Sequence, residues 1–266
     1  MIHNNRPGKD AELLKQFNEP SWNNPVVRYL DAAGKDIIDR QDRIWSTSAT
    51  VTRMVSALKA SKQEVPLYLT TVAVADSEPK QATATFAMHC YWEGEAKLGG
   101  IRGVSSTRSG WKDSLEVVTL KYDPRVVDYE KLLETAKSFE CASKVYAHTA
   151  EQLLLAKKKV GIQAVAVKHE KSITDAKPSD QKYYLIQTPL KYLPLTETQA
   201  TKINASLKSK RNDYQKWLSP RQLALFKRVK ALVKQNSEAL ADWHYPPESQ
   251  LVEYASRLEK RLSELE

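Results

Sequence analysis

Hydrophobic residues recur along the chain with two different periods. In "STSATVTRMVSALKAS", Val51, Met54, Val55 and Leu58 fall at i, i+3, i+4 and i+7, which predicts a helix with a Ser or Thr placed to cap it. The middle of the chain changes character. "LYLTTVAVAD" and "QATATFAMH" are rich in Thr, Val and Ala and predict strands. "YWEGEAKLGG" predicts a short helix ended by glycine. "GVSSTRSGW" and "LEVVTLKYDP" predict two strands, the second closed by an Asp-Pro turn. "DYEKLLETAKSF" predicts an amphipathic helix with Leu132, Leu133, Ala136 and Phe139 on one side. A further helix in "TAEQLLLAKKK" and a strand in "IQAVAVKH" follow.

From about Pro194 the helical period returns. "SPRQLALFKRVKALVKQ" opens on Ser-Pro, the usual first pair of a helix. "PPESQLVEYASRLEKRLSELE" places Leu251, Tyr254, Leu258, Leu262 and Leu265 along one face. That stripe predicts packing onto the body of the protein, and it is short for a coiled-coil seam. Strand, helix, two strands and helix in the middle form a split β-α-β pattern, so the expected class is an α+β sandwich. The expected organisation is a helical extension over 1–64, a core domain over 65–193 and a basic helical extension over 194–266.

Composition narrows the classes. At 266 residues and 41% apolar content the chain can bury a real core, and no run of eighteen apolar residues predicts a membrane span. The polar start "MIHNNRPGKDAELLKQ" lacks the apolar core of a signal peptide, and two cysteines are too few for a disulfide scaffold. A cytoplasmic protein with reduced thiols is expected. The net charge is +9, and ten Lys or Arg against Asp213 alone lie between Lys202 and Lys234. Such a block can attract nucleic acid, but no nucleic-acid-binding motif accompanies it, so a solvated helix face is the favoured reading.

The chemistry centres on "TATFAMHCYWEGEA". Cys90 falls where a strand ends and a helix starts, and a helix N-terminus stabilises a thiolate. A cysteine there can equally be a small core hydrophobe, and Tyr91 and Trp92 can be an apolar wall beside the sulfur or plain core. Glu116 shares a strand face with Val118, Leu120 and Tyr122. A carboxyl among apolar neighbours is costly to ionise and so can donate a proton. Thiolate plus proton donor suits reduction of a polar X=O bond by sulfur attack.

"CYWEGEAKLGGIRGVSSTRSGW" resembles the opening signature of the A-type peptide methionine-S-sulfoxide reductases. Cys90, Trp92, Glu95, Gly103, Val104, Thr107 and Gly110 match without a gap, with Tyr91 and Trp111 as aromatic replacements. "LEVVTLKYDPRVVDYEKLLE" resembles the family's next block and puts Glu116 on its proton-donating glutamate. "SDQKYYLIQTP" resembles a later segment through Asp180, Tyr184, Leu185 and Pro189. The chain departs from the family at Met88, His89 and Glu93, where glycines are usual. A long loop before Glu116 is nearly absent, and neither oxygen-binding tyrosine keeps its usual position; one of them falls on Cys141.

The resemblance implies the family's ferredoxin-like split β-α-β sandwich with added terminal helices. It also implies a role in oxidative stress with no metal or organic cofactor. Cys90 would attack the sulfoxide, and Glu116 would protonate its oxygen. Tyr91 and Trp92 would hold the methyl group, with Trp111, Asp180 and Tyr184 completing the substrate site. Cys141 is either the thiol that resolves the Cys90 sulfenic acid or a buried free cysteine. Thioredoxin or another dithiol would close the cycle. The alternative is a non-catalytic reactive-thiol protein that senses oxidants or binds a soft metal, with His89, Cys90, Cys141 and His148 as ligands.

Overall fold

In the computed structural model of the chain, residues 6–20, 25–75, 81–139, 141–169, 172–209, 213–243 and 248–265 are described. They divide into two compact units, Met1–Ser77 and Glu78–Glu266.

The first unit holds helix α1 (Lys9–Gln16), the short antiparallel strands β1 (Val26–Val27) and β2 (Gln41–Asp42), and helices α2 (Thr47–Ala60) and α3 (Leu67–Ala75). The α2 helix is the one its spacing predicts, capped by the Ser46 hydroxyl accepting from the Ala49 amide. The α3 helix corrects an expectation, because "LYLTTVAVAD" was expected to be a strand. An unbroken apolar run has no period, so composition alone cannot separate a strand from a packed helix. Here Thr70 and Thr71 return their hydroxyls to the carbonyls of Leu67 and Tyr68, which the helix allows. Glu19 anchors the unit's irregular part: Arg40 and Arg28 both bond its carboxylate. Outweighing partial burial, they hold it down at about 2.

The second unit is mixed α+β. In chain order it runs β3 (Ala82–Ala87), α4 (Tyr91–Gly99), β4 (Val104–Lys112), β5 (Leu115–Tyr122), α5 (Tyr129–Ser138), β6 (Val145–Ala147), α6 (Ala150–Val160), β7 (Ala164–Ala166) and β8 (Thr174–Asp175). The sheet order is β7-β6-β3-β5-β4-β8, antiparallel except for the β6–β7 pair. Strands β3 and β4 therefore point the same way with β5 between them. Alternation sorts the side chains: Ala84, Phe86, Val118, Leu120 and Tyr122 share one buried face. Leu98 of α4, Leu132, Leu133 and Ala136 of α5, and Ala156 of α6 belong to the same core. Each fully buried leucine contributes about 1.5–3 kcal/mol. Asp128 and Thr149 cap α5 and α6.

Helices α7 (Tyr183–Ile186), α8 (Glu197–Lys208), α9 (Pro220–Gln235) and α10 (Leu251–Leu265) build a second core around Leu193, Ile203, Val229, Leu258 and Leu262. Capping boxes at Thr196/Gln199 and Ser219/Gln222 start α8 and α9, with Pro220 in the first turn as expected. The α10 stripe packs inward through Tyr254, Leu258 and Leu262, and the Tyr254 hydroxyl donates to the Tyr192 carbonyl at 3.0 Å. The expected Pro-Pro start of that helix lies outside the described residues. Several cations of the basic block are paired with acids. Lys208 pairs with Glu93, Lys216 with Asp213 and Arg221 with Glu259.

Candidate active site

Strand β3 ends at Ala87, and three residues later Cys90 occupies the N-cap position of α4. Its backbone is extended (φ −141°, ψ 114°) and its carbonyl accepts the Gly94 amide at 3.0 Å. The half-buried thiol makes no capping bond, so it is not consumed in closing the helix. The cap comes from elsewhere. Glu116 Oε2 lies 2.6 Å from the Tyr91 amide nitrogen and accepts its hydrogen. The Glu116 carbonyl in turn accepts from the Met88 amide at 2.8 Å. Strand β5 thus brings a carboxyl to the helix end that carries the thiol, and the two groups that the sequence singled out converge there.

Aromatic rings cluster at this helix end. Trp111 is the cross-strand partner of Glu116, so both side chains leave the same face of the β4–β5 hairpin. The hairpin turns through Asp113 and Ser114 alone, with φ of 51° and 62°. A type I′ turn requires this pair of positive values. Tyr91 meets Trp111 edge-on at 5.6 Å and Trp92 at 6.0 Å. Trp111 is 41% exposed and forms the open rim. Asp180, at the end of a 3-10 turn, lies close to Tyr91; burial and then this carboxylate push Tyr91 up to about 12, so its phenol stays protonated.

The resemblance points to Tyr184, but the ring at the Trp92 indole is its neighbour. Tyr183 stacks on Trp92, with centroids 4.1 Å apart and planes at 15°. Tyr184 lies edge-on to Tyr183, under the Lys208 ammonium at 5.1 Å. Adjacent residues of a helix point about 100° apart, so only one of two consecutive tyrosines can face the indole. That geometry was the available signal, but it does not say which tyrosine is chosen.

A second missed feature fixes α4 itself. Glu95, fully buried, accepts from the Lys182 amide at 2.7 Å, the Lys182 ammonium at 3.0 Å and the Thr107 hydroxyl at 3.3 Å. The same ammonium reaches Glu197 of α8 at 2.9 Å and the Thr107 carbonyl. Burial works against the charged lysine, but Glu95 and Glu197 outweigh it and hold Lys182 above the usual lysine range. Lys182 sits at φ 50°, the left-handed region, and the network holds it there. One lysine therefore ties the Cys90 helix to β4 and α8.

Cys141 lies just beyond α5, buried, with its amide on the Ala136 carbonyl at 3.0 Å and its sulfur 3.6 Å from the Phe139 carbonyl oxygen. The next residue, Ala142, donates its amide to the Ala87 carbonyl at the end of β3. Neither cysteine is in a disulfide. His89 is exposed, and His148 Nε2 lies 2.8 Å from the Thr85 hydroxyl, on the sheet face opposite the main core. Among the described residues no three His, Cys, Asp or Glu side chains form a metal-binding group. None of the described helices is long and apolar enough to cross a membrane.

No protein-family model matches the chain. It is similar to a peptide methionine sulfoxide reductase of Drosophila melanogaster, 35% identical over 74 residues, which are 23% of this chain and 30% of that protein. It is also similar to two proteins named peptide methionine sulfoxide reductase A5. The one from Oryza sativa subsp. japonica is 37% identical over 65 residues, 20% of this chain and 26% of that protein. The one from Arabidopsis thaliana is 31% identical over 77 residues, 24% and 30% of the two chains. The match thus spans less than a third of the length of these relatives.

Proposed function

We propose that the chain is a thiol-dependent reductase of a sulfoxide, either methionine-S-sulfoxide or a related small sulfoxide. One contact carries the reading: the Glu116 carboxyl, 2.6 Å from the Tyr91 amide, sits at the helix end where Cys90 holds the N-cap position. The partial similarity to peptide methionine sulfoxide reductases supports the reaction class.

The reaction then runs as follows. The Cys90 sulfur attacks the sulfoxide sulfur while Glu116 delivers a proton to the oxygen. The substrate's S–O bond breaks, the thioether leaves, and the oxygen ends on Cys90 as a sulfenic acid. The Cys141 thiol attacks that sulfenic acid, water departs, and a Cys90–Cys141 disulfide forms. Thioredoxin or another dithiol reduces the disulfide and is itself oxidised. Tyr91 and Trp92 wall the substrate's methyl group, Trp111 forms the rim, and Asp180 and Tyr184 hold the far side. On this reading residues 65–193 carry the reaction, with helical additions on both sides, and β5 inserted between β3 and β4 is a split β-α-β.

The test is to incubate the reduced protein with dithiothreitol and each epimer of a methionine sulfoxide peptide. Reduction of the S epimer alone, lost in Cys90→Ser, is the expected result. Turnover of neither epimer, or turnover that survives Cys90→Ser, overturns the reading.

A further inference from the structure

The far end of α4 closes a cavity of about 530 Å³ between α4, the second half of α8 and the 3-10 turn Tyr214–Trp217. Its α4 lining begins at Ala96, six residues or about 9 Å of helix beyond Cys90, and Cys90 is not among the lining residues. Its volume falls within the range of small-molecule pockets. Its walls are of two kinds. Phe139 and Trp217 supply flat apolar surface, and Lys97, Lys202, Lys208 and Lys216 supply cations. Among the described residues Asp213 is the one carboxylate in the lining.

The charges do not cancel. Lys216 pairs with Asp213, while Lys97 and Lys208 share Glu93 at 3.4 and 2.5 Å. Lys202 has no carboxylate partner among the described residues. It is 9% exposed, and its ammonium donates to the Gly99 carbonyl at 2.7 Å and the Ile101 carbonyl at 2.8 Å. An ammonium carries three hydrogens, so one is left without an acceptor among the described residues. Burial alone pushes this lysine down to about 8, the mark of a buried cation that lacks a counter-charge. The Trp217 indole N–H is likewise shut from solvent with no acceptor among the described residues. Among the described residues, two unspent donors and an excess of two positive charges call for an anion of charge about −2 that brings its own acceptors.

We propose that this cavity binds a small phosphate monoester carrying a flat apolar ring, its phosphate among Lys97, Lys202 and Lys216 and its ring against Phe139 and Trp217. The half-open cavity's limited volume and two aromatic walls favour a small molecule over a nucleic-acid strand, which would need a longer groove. The proposal is independent of the reductase reading.

Isothermal titration calorimetry on the full reduced chain tests it, with AMP, ribose 5-phosphate and inorganic phosphate as probes. AMP should bind more tightly than the other two. Lys97→Glu and Lys216→Glu should each weaken it about tenfold or more, and Lys202→Met should weaken it too, while Lys234→Glu, an exposed lysine of α9 outside the cavity, should not. Circular dichroism of each variant shows that loss of binding is not loss of fold. No heat from any probe at millimolar concentration overturns the proposal. So does AMP binding that Lys97→Glu and Lys216→Glu leave unchanged, or phosphate binding as tightly as AMP. A single-stranded oligonucleotide that binds far more tightly than AMP and displaces it would show instead a basic surface for nucleic acid.

Discussion

Lys182→Met isolates the buried network behind the Cys90 helix. The substitution keeps the length and apolar stem of the side chain and removes only the ammonium. Glu95, at 0% exposure, then retains the Lys182 amide and the Thr107 hydroxyl but no cation. A buried charge stripped of its partner costs about 3–5 kcal/mol. Glu197, which loses the same partner, is partly in water, and its share is small. Set against a domain stability of about 5–15 kcal/mol, the loss is severe. At about 2–4 °C per kcal/mol it lowers the melting temperature by roughly 6–20 °C. Adding Glu95→Met removes the stranded charge and leaves an apolar pair of similar volume, which is close to neutral in comparable cases. The double variant should therefore be more stable than Lys182→Met alone. Urea unfolding followed by circular dichroism at pH 7 measures both. A Lys182→Met variant within about 1 kcal/mol of the wild type would mean that water reaches Glu95. A double variant no better than the single would remove the stranded-charge mechanism.

Glu116→Gln keeps an acceptor for the Tyr91 amide, so the fold should persist while the chemical step slows about 10²-fold or more; single-turnover rates near wild type would end its role as the acid. Cys141→Ser should complete one turnover and then hold a sulfenic acid on Cys90, trapped by dimedone and seen by mass spectrometry. A wild-type protein that accumulates sulfenic acid with Cys141 still alkylatable would remove the resolving role. Lys202, lowered to about 8 from an ordinary 10.5, binds fewer protons folded than unfolded between those pH values. Its contribution is therefore present in full above pH 10.5 and lost as pH falls through about 8. The stability of the wild type relative to Lys202→Met should accordingly rise by roughly 3 kcal/mol from pH 7 to pH 10.5, read by chemical denaturation at each pH. A flat difference would mean that the amine is solvated.

Elements with a clear period or a cap were legible in the sequence. Helix α9 carries both a Ser-Pro start and a 3.6-residue stripe, and it forms over Pro220–Gln235. The alternation in "LEVVTLKY" placed Glu116 on the face of Val118, Leu120 and Tyr122, where the structure puts it. The run from Leu67 was not legible, because nine mostly apolar residues have no period from which to choose a helix. Within the candidate site, Cys90 and Glu116 could be found because each breaks the pattern around it. Tyr183 and Lys182 could not. Their partners, Trp92 and Glu95, lie some ninety residues earlier, and only folding brings them together. Nor could the block after Lys202 be parsed from its charges, since Lys202 and Lys208 spend them on α4 rather than on solvent.

The two-residue turn at Asp113–Ser114 has a consequence for how the site can change. Side chains on a strand alternate, so the turn works as a phase lock between Trp111 and Glu116. An inserted stretch that merely bulges from the tip leaves that phase intact, whatever its sequence. An insertion that slips the pairing by one residue sends Glu116 to the face now held by Val117 and Thr119, and Cys90 loses its neighbour without any change in the residues that touch it. The hairpin tip is thus free in composition but constrained in parity, and new surface can be grafted there only in forms that preserve the count.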